Sequence, residues 1–352
     1  MKKEHVLVIR FSAMGDVAMM VPVVYSLAHQ YPDVRFTVLS RAFARPMFEG
    51  LAPNVNFMMA DLKLEYRGIK GLNALYRRLA AKQFTAVADL HNVLRSEYLR
   101  LRFNIGHYRV AHINKHRKGR KLITSKNHKQ LEQQPTSFEN YVEVFQKLGY
   151  PVDIQFHSIF PPEGGPLHLL PPPVNFKNTD EEWIGIAPFA AHKGKVYPPE
   201  LMEQIISQLL DKHPNLRIFL FGRGEQEDQW FSQWCERYWL CTNAGEYAKS
   251  LQQELILMSH LDLMVSMDSS NMHLASLTGT PVVSIWGATH PYAGFLGWGQ
   301  KEENIIQTDL DCRPCSIFGQ KPCRRGDYAC LYGIRPETIV EKINTLLQTK
   351  QK

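Results

Sequence analysis

The stretch Asp268–His273 lies between two short apolar segments and constrains the fold more than any other part of the sequence. An apolar run, Leu261–Ser266, precedes it, and a run of small residues, Leu274–Gly279, follows it. This order predicts a strand, a tight loop and a helix whose first N–H groups have no partner within the helix. A further apolar run at Pro281–Trp286 completes a βαβ crossover. The stretch is therefore either a diphosphate-binding helix start or an ordinary capped one.

The alternation of apolar runs with helix-period segments occurs twice along the chain. It begins at His5–Phe11 and restarts at Trp183–Ala187, after a segment rich in proline and glycine. The chain has 352 residues, which exceeds the usual size of a single core. We therefore expect an α/β protein with two doubly wound Rossmann-like domains that face a central cleft. The predicted boundaries are 1–160 for the first domain, 161–178 for the linker, 179–335 for the second domain and 336–352 for a C-terminal helix that packs back on the first domain.

The first predicted loop, Ser12–Asp16, ends on an acidic residue where a helix begins. Asp16 could simply cap that helix. Alternatively, it is a general base held at the carboxyl end of the first strand, where open α/β sheets bind their ligands. In the second half, Lys193 and Lys195 follow a strand and precede a helix, so they should reach the same edge as Asp268. A lysine at that place suits phosphate oxygens.

Positive charge is concentrated in one segment of the chain. The formal net charge is +7, yet Arg95–Lys129 alone contains eleven Lys or Arg residues and one acid, Glu97. Such a run is typical of a solvated face, but it also suits carboxylates, phosphates or an anionic membrane surface. Few aromatic residues accompany it and no known nucleic-acid module is present, so nucleic acid is not an expected partner.

Four cysteines lie close together near the end of the chain, with the spacing C-x2-C-x7-C-x6-C: Cys312, Cys315, Cys323 and Cys330. They predict either a structural zinc site or reduced cysteines packed in a loop. The apolar run at the N-terminus is too short for a signal-peptide core, and no run approaches the roughly 20 residues needed to cross a bilayer. We therefore expect a soluble, cytoplasmic protein.

Several motifs together resemble the ADP-heptose:lipopolysaccharide heptosyltransferases of glycosyltransferase family 9. They are Val8–Asp16, Lys195–Pro198, Asp268–Ala275 and the segment Trp286–Pro291, which occur in the family's order and cover nearly the whole chain. The resemblance implies a GT-B fold in which the second domain holds the donor and the first holds the acceptor. It implies Asp16 as the catalytic base and Lys195 as the lysine that binds the donor diphosphate. The implied donor-binding loop contributes Asp268, Ser269, Ser270, Asn271 and His273, and the expected acceptor contacts are Gly15, Arg95, Lys118 and Arg120.

The resemblance leads to the expectation of an inverting transfer of heptose from ADP-heptose to a lipopolysaccharide-core or related acidic glycolipid. Because lysine and backbone N–H groups can offset the charge of the departing diphosphate, no cofactor is required for this chemistry. Such an enzyme would work at the cytoplasmic surface of the inner membrane. Two alternatives are the same fold with another nucleotide sugar, and a non-catalytic module that binds sugar nucleotides or polyanions.

Overall fold

The computed structural model describes residues 4–350, so the outermost residues of the predicted first domain and C-terminal helix lie outside the described part. Within it, the chain forms eleven strands in two sheets, and every pairing is parallel. The strands are β1 (His5–Ile9), β2 (Arg35–Ser40), β3 (Val55–Met59), β4 (Ala86–Asp89), β5 (Arg109–His112), β6 (Glu182–Ala187), β7 (Leu216–Leu220), β8 (Cys241–Asn243), β9 (Leu263–Met267), β10 (Val282–Trp286) and β11 (Ile305–Gln307).

Fourteen α-helices connect or follow these strands in the described part of the chain. They are α1 (Met14–Ala18), α2 (Val21–Gln30), α3 (Arg45–Phe48), α4 (Gly68–Ala80), α5 (Leu94–Ile105), α6 (Arg117–Ile123), α7 (Ser137–Lys147), α8 (Pro199–Lys212), α9 (Glu225–Arg237), α10 (Ala244–Tyr247), α11 (Leu251–Met258), α12 (Ser270–Leu277), α13 (Ala329–Tyr332) and α14 (Pro336–Lys350).

The first compact unit consists of the chain up to Lys115 together with Pro135–His157. Its sheet has the order β3-β2-β1-β4-β5, so the chain starts in the middle and the order reverses beside β1. Helices α4 and α5 pack against one another, as do α2 and α7. The central strand β1 is almost entirely buried, which is why it is a near-continuous run of Val, Leu and Ile. Loops at the carboxyl ends of β1 and β4 thus meet at the switch point, where ligands usually bind.

The second compact unit contains His116–Gln134 and the chain from Ser158 onward. Its sheet has the order β11-β10-β9-β6-β7-β8, with the switch point between β6 and β9. Strand β9 is buried along its whole length. Both units are doubly wound α/β layers, so the predicted fold class is confirmed.

A segment from the first half of the chain, His116–Gln134, belongs to the second unit. Lys129 Nζ donates to the carbonyl of Arg313 at 2.7 Å, and the guanidinium of Arg120 lies 4.5 Å from the ring centre of Phe295. The domain boundaries expected from the sequence place this segment in the first domain. A run of like charges does not show on which of two cores the segment packs.

The C-terminal helix packs on the core of the second unit. Its apolar residues Ile339, Ile343 and Leu347 lie one turn apart and are buried in the core that contains β6, β7 and β9. Helix α14 also packs against α8. Its apolar stripe thus fills the core of its own unit, and a return of the helix to the first domain stays a prediction.

Two other expectations are refined by the structure. The apolar spacing at 17–30 predicts one helix, but the chain forms two, α1 and α2. Pro22 lies in the first turn of α2, where its missing N–H costs nothing. The Pro-rich segment 161–178 contains no strand or α-helix and has a single 3-10 turn at Leu167–Leu169. Among the described residues, no helix combines the length and the apolar character needed to cross a bilayer.

Candidate active site

Asp16 lies in the first turn of α1, just after the central strand of the first sheet. Its Oδ2 accepts a hydrogen bond from the backbone N–H of Ala13 at 3.2 Å, which caps the helix start. Its Oδ1 pairs with Arg10 Nη2 at 2.9 Å, and 30% of the side chain is exposed. Tyr141 fixes the same turn by donating to the backbone carbonyl of Asp16 at 3.0 Å. The carboxylate thus caps the helix start through Oδ2 and pairs with Arg10 through Oδ1.

Arg10 is the cation that holds this carboxylate. It directly follows β1 and is 6% exposed, and its Nη1 donates to the carbonyl of Leu90. Its guanidinium also lies 5.7 Å from the ring centre of Tyr141. Burial disfavours the charge, but Tyr141, Asp16 and Asp89 outweigh it and raise the pKa of Arg10. A permanent, buried positive charge therefore stands behind Asp16.

The loop after β4 is shaped by the fully buried carboxylate of Asp89. Its Oδ1 accepts from the backbone N–H groups of His91 and Asn92 at 3.0 and 2.9 Å. Its Oδ2 pairs with Arg100 Nη1 at 3.2 Å, so the buried charge is compensated. Asn92 adopts a left-handed backbone with φ of 49°, which asparagine tolerates better than most residues. This turn directs His91 toward the loop that contains Asp16.

His91 lies near Asp16, and no sequence motif marks it. Its Nδ1 accepts from the backbone N–H of Phe11 at 3.4 Å, and its Nε2 lies 3.5 Å from Ser12 Oγ. Burial, followed by the charges of Arg10 and Lys115, lowers the pKa of His91 to about 4. The imidazole is therefore neutral at physiological pH. It can donate and accept hydrogen bonds, but it carries no charge.

In the second unit, Lys195 and Asp268 form a buried ion pair. Lys195 ends a 3-10 turn after β6, and its Nζ lies 3.0 Å from Asp268 Oδ2. The side chains are 16% and 5% exposed. The neighbouring Lys193 instead directs its Nζ over the ring of Tyr328, at 5.1 Å from the ring centre. Of the two lysines considered from the sequence, the structure thus places Lys195 beside the predicted donor-binding loop.

The loops after β6 and β10 touch at two glycines, and this contact positions Lys195. Ala288 N–H donates to the carbonyl of Gly194 at 2.7 Å. A Cβ on Gly287 would lie 2.6 Å from that same carbonyl, and a Cβ on Gly194 would lie 2.9 Å from Ala288 Cβ. Only glycine allows so close an approach of two backbones. On the other side of Lys195, a Cβ on Gly319 would lie 2.5 Å from Lys195 Cγ.

Helix α12 begins next to this ion pair with its first amides uncapped. The N-cap residue is Ser269, and its side chain accepts no hydrogen bond from the helix. Its Oγ instead lies 3.3 Å from Ser266 Oγ. Asp268 is not the cap, contrary to the simpler interpretation of the sequence. Ser270 and Asn271 form the half-buried first turn, and His273 is buried one turn later. The free N–H groups and the Lys195 ammonium make this edge suitable for a diphosphate.

Arg313, which the sequence did not suggest, holds the loop after β10 in place. Its guanidinium donates to the carbonyls of Gly287, Trp286 and Thr289 at 2.5, 3.2 and 2.9 Å. Arg313 is 4% exposed, and burial lowers its pKa. Through Arg313, the cysteine-rich segment therefore fixes the loop after β10. No sequence motif marks this role, because the partners are backbone carbonyls far away in the chain.

Comparison with known proteins decides the family. The family model described as glycosyltransferase family 9 (heptosyltransferase) matches residues 72–326, which is well over half of the chain. The chain belongs to this family. The matched part contains Lys195 and Asp268, whereas Asp16 precedes it. The protein is accordingly a glycosyltransferase.

Full-length relatives agree with this assignment. The chain is 20% identical to lipooligosaccharide heptosyltransferase 2 of Campylobacter jejuni over 95% of its own length and 96% of the relative. Among solved structures, E. coli ADP-heptose lps heptosyltransferase II matches with a TM-score of 0.69, 20% identity and coverage of 99% and 100% of the two chains. E. coli heptosyltransferase WaaC with ADP matches with a TM-score of 0.67, 18% identity and coverage of 97% and 99%. The GT-B fold expected from the motifs is confirmed.

The predicted acceptor contacts of this glycosyltransferase are divided between the units. Gly15 precedes Asp16 in α1, and Arg95 is exposed in the first turn of α5, both in the first unit. Lys118 and Arg120 lie on α6, in the second unit. Lys118 is exposed, whereas Arg120 is half-buried against Phe295. Their binding of an acceptor stays a prediction.

The four clustered cysteines of the glycosyltransferase do not converge as metal ligands. Between residues 4 and 350, no group of three or more His, Cys, Asp or Glu side chains is arranged to hold a metal ion. All four cysteines are free thiols; Cys315 and Cys330 are buried, and burial raises the pKa of Cys330 to about 11. A structural zinc site at Cys312, Cys315, Cys323 and Cys330 stays a prediction from their spacing.

Proposed function

We propose that this glycosyltransferase moves heptose from ADP-heptose to a lipopolysaccharide-core or related acidic glycolipid, with inversion at the transferred carbon. Membership in the heptosyltransferase family supports the sugar. The similar Campylobacter protein is named a lipooligosaccharide heptosyltransferase, and the similar WaaC structure contains ADP.

The observation that carries this proposal is the Lys195–Asp268 pair beside the uncapped start of α12. Asp268 fixes the ammonium, so no side-chain ordering is needed when a diphosphate arrives. The ammonium and the α12 amides are arranged in advance for the negative charge that grows on the departing diphosphate. Because these donors already supply positive charge, the proposed reaction needs no metal cofactor.

Asp16 is the proposed general base. Its carboxylate accepts the proton from the acceptor hydroxyl while the acceptor oxygen forms a bond to the anomeric carbon. The bond from that carbon to the diphosphate oxygen breaks, and ADP leaves with its electron pair. A single displacement of this kind inverts the anomeric configuration. Arg10 and the Ala13 N–H hold the carboxylate in one orientation, which favours an in-line approach of the acceptor.

The acceptor is proposed to be acidic and lipid-linked, with the enzyme working at the cytoplasmic surface of the inner membrane. The basic segment Arg95–Lys129 supports an anionic acceptor, because its lysines and arginines far outnumber its acidic residues. If phosphates are neutralised there, acceptor binding should weaken steeply with added salt.

The test is transfer to a heptose-deficient lipopolysaccharide acceptor with a panel of ADP-, UDP- and GDP-sugars, combined with thermal-shift titration of each donor. We expect ADP-heptose to raise the melting temperature and to support turnover. Asp16→Asn should lower kcat by about a hundredfold or more while donor binding remains. Asp33→Asn, which removes an exposed acid before β2, is the matched control. Turnover with another nucleotide sugar would change the donor, and donor binding without any turnover would favour a binding module.

A further inference from the structure

Three large apolar side chains are exposed near the carboxyl ends of the strands of the first sheet, which is also where Asp16 lies. Leu64 follows β3 and is 80% exposed, and Ile69 in the first turn of α4 is 71% exposed. Leu94, the first residue of α5 after β4, is 85% exposed. Because α4 and α5 both begin where parallel strands end and pack against one another, these side chains share one side of the unit.

Helix α5 is apolar on two opposite faces. Leu99 and Phe103 face the core and are fully buried. Leu101 and Ile105, which lie seven and eleven residues after Leu94, are 56% and 66% exposed and fall on the opposite face. A helix that covers a core normally has polar residues outside, so this second apolar stripe indicates a binding surface.

Basic side chains are interleaved with these apolar ones. Lys63, Arg67, Lys70 and Arg95 are all exposed. From Asp61 to Ile105 the chain has nine Lys or Arg residues and four Asp or Glu residues. The other side of the same sheet is different. Helix α2 has no Asp, Glu, Lys or Arg, and in the described residues of α2 and α7 no large apolar side chain is exposed.

We propose that the outer side of α4 and α5, with the loop before α4, docks on an anionic lipid membrane. Exposed apolar side chains would enter the interface between headgroups and acyl chains, and the neighbouring lysines and arginines would meet lipid phosphates. A second copy of the chain is a poor occupant, because it would bring two positively charged surfaces together. The inference rests on the proposed function in one respect: docking brings the Asp16 edge to the level of a lipid-linked acceptor.

The test is co-sedimentation of the full chain with vesicles, without any turnover. Wild-type protein should bind vesicles of phosphatidylethanolamine and phosphatidylglycerol, and bind neutral phosphatidylcholine vesicles much less. The variant Leu94→Ser/Leu101→Ser/Ile105→Ser should bind the anionic vesicles with an affinity at least about tenfold lower. Trp239→Ser, which removes an equally exposed side chain from the second unit, should bind like wild type. An unchanged melting temperature shows that the triple variant is folded.

The outcomes separate the two proposals. The triple variant should keep wild-type kcat/KM with a soluble, delipidated acceptor and lose activity only with acceptor embedded in vesicles. Vesicle binding by a protein that transfers no sugar would overturn the proposed function and leave the surface in place. Equal binding by wild type and triple variant, or equal binding to anionic and neutral vesicles, would overturn the membrane surface. A wild-type dimer that the triple variant abolishes, without lipid binding, would assign the surface to a second copy.

Discussion

Arg10 and Asp16 form an ion pair, with 2.9 Å between Nη2 and Oδ1, in which the arginine is buried and the carboxylate is partly exposed. A carboxylate that is paired with a cation is a weaker base but has a fixed orientation, which bears on the proposed role of Asp16. The second oxygen is also occupied, by the Ala13 N–H. Such a fixed carboxylate suits the proposed transfer, in which the acceptor must approach from one direction.

We expect Arg10→Met to lower kcat by about tenfold to a hundredfold, because the carboxylate of Asp16 loses the partner that orients it. Donor affinity should not change, since Lys195 and Asp268 lie in the other unit. Arg10→Lys keeps the charge without the planar fork and should recover only part of the rate. Steady-state kinetics with both substrates varied measures this, and Arg41→Met, an exposed arginine after β2, is the control. A wild-type rate for Arg10→Met would exclude the positioning role.

A double variant should separate the effect of Lys195 on stability from its effect on donor binding. Lys195→Met leaves the carboxylate of Asp268, which is 5% exposed, without its partner, so both stability and donor binding should fall. The loss of stability should be about 3 kcal/mol or more. In Lys195→Met/Asp268→Asn no unpaired charge remains, so stability should recover while donor binding stays weak.

Denaturant unfolding and donor titration of the same samples measure the two effects. Lys193→Met is the matched control, because that lysine lies in the same turn with its ammonium over Tyr328. If the double variant bound donor as wild type does, Lys195 would have a purely structural role.

The crossing of Gly194 and Gly287 predicts a steric requirement. Gly287→Ala would place a Cβ 2.6 Å from the Gly194 carbonyl, so one of the two loops must move. We expect a loss of about 1–3 kcal/mol in unfolding free energy and weaker donor binding, since Lys195 moves with its loop. Gly245→Ala is the control, because its nearest neighbour would be the Asn243 side chain at 3.3 Å. Equal effects of the two substitutions, measured by calorimetry and donor titration, would contradict the crossing.

The elements around both switch points could be predicted from the sequence because their signals are local. The apolar runs Trp183–Ala187 and Pro281–Trp286 form β6 and β10, with bounds that differ by one residue at most. Asp16, Lys195 and Asp268 each follow a strand, and parallel order brings Lys195 and Asp268 to the same end of the second sheet.

What could not be predicted depends on contacts between distant residues. The pairing of Arg10 with Asp16 needs the α1 turn to fold back, and nothing in the local pattern of β1 distinguishes Arg10 from an exposed arginine. Arg313 acts through three backbone carbonyls, which carry no side-chain signal. The assignment of α6 to the second unit likewise depends on tertiary contacts, such as that between Arg120 and Phe295. Cysteine spacing alone does not show where the thiols point, so zinc at the four cysteines stays a prediction.

The last prediction concerns pH and follows from the buried histidine near Asp16. Burial lowers the pKa of His91 from 6.5 to about 4, so the native state resists protonation that the unfolded chain accepts. Between these two values the unfolded chain binds more protons, and stability must fall as the pH falls. The difference of roughly 2.5 pH units corresponds to about 3 kcal/mol, fully present above pH 6.5 and lost by about pH 4.

His91→Gln cannot titrate, so its unfolding free energy should fall less than that of wild type between about pH 7 and about pH 4.5. His290 in the second unit, whose pKa burial also lowers to about 4, should leave a residual slope in the variant. His168→Gln removes an exposed histidine and should follow the wild-type curve. Denaturant unfolding at several pH values, followed by tryptophan fluorescence and circular dichroism, gives the comparison. Parallel curves for wild type and His91→Gln would mean that His91 is not the group whose protonation opposes folding of the first unit.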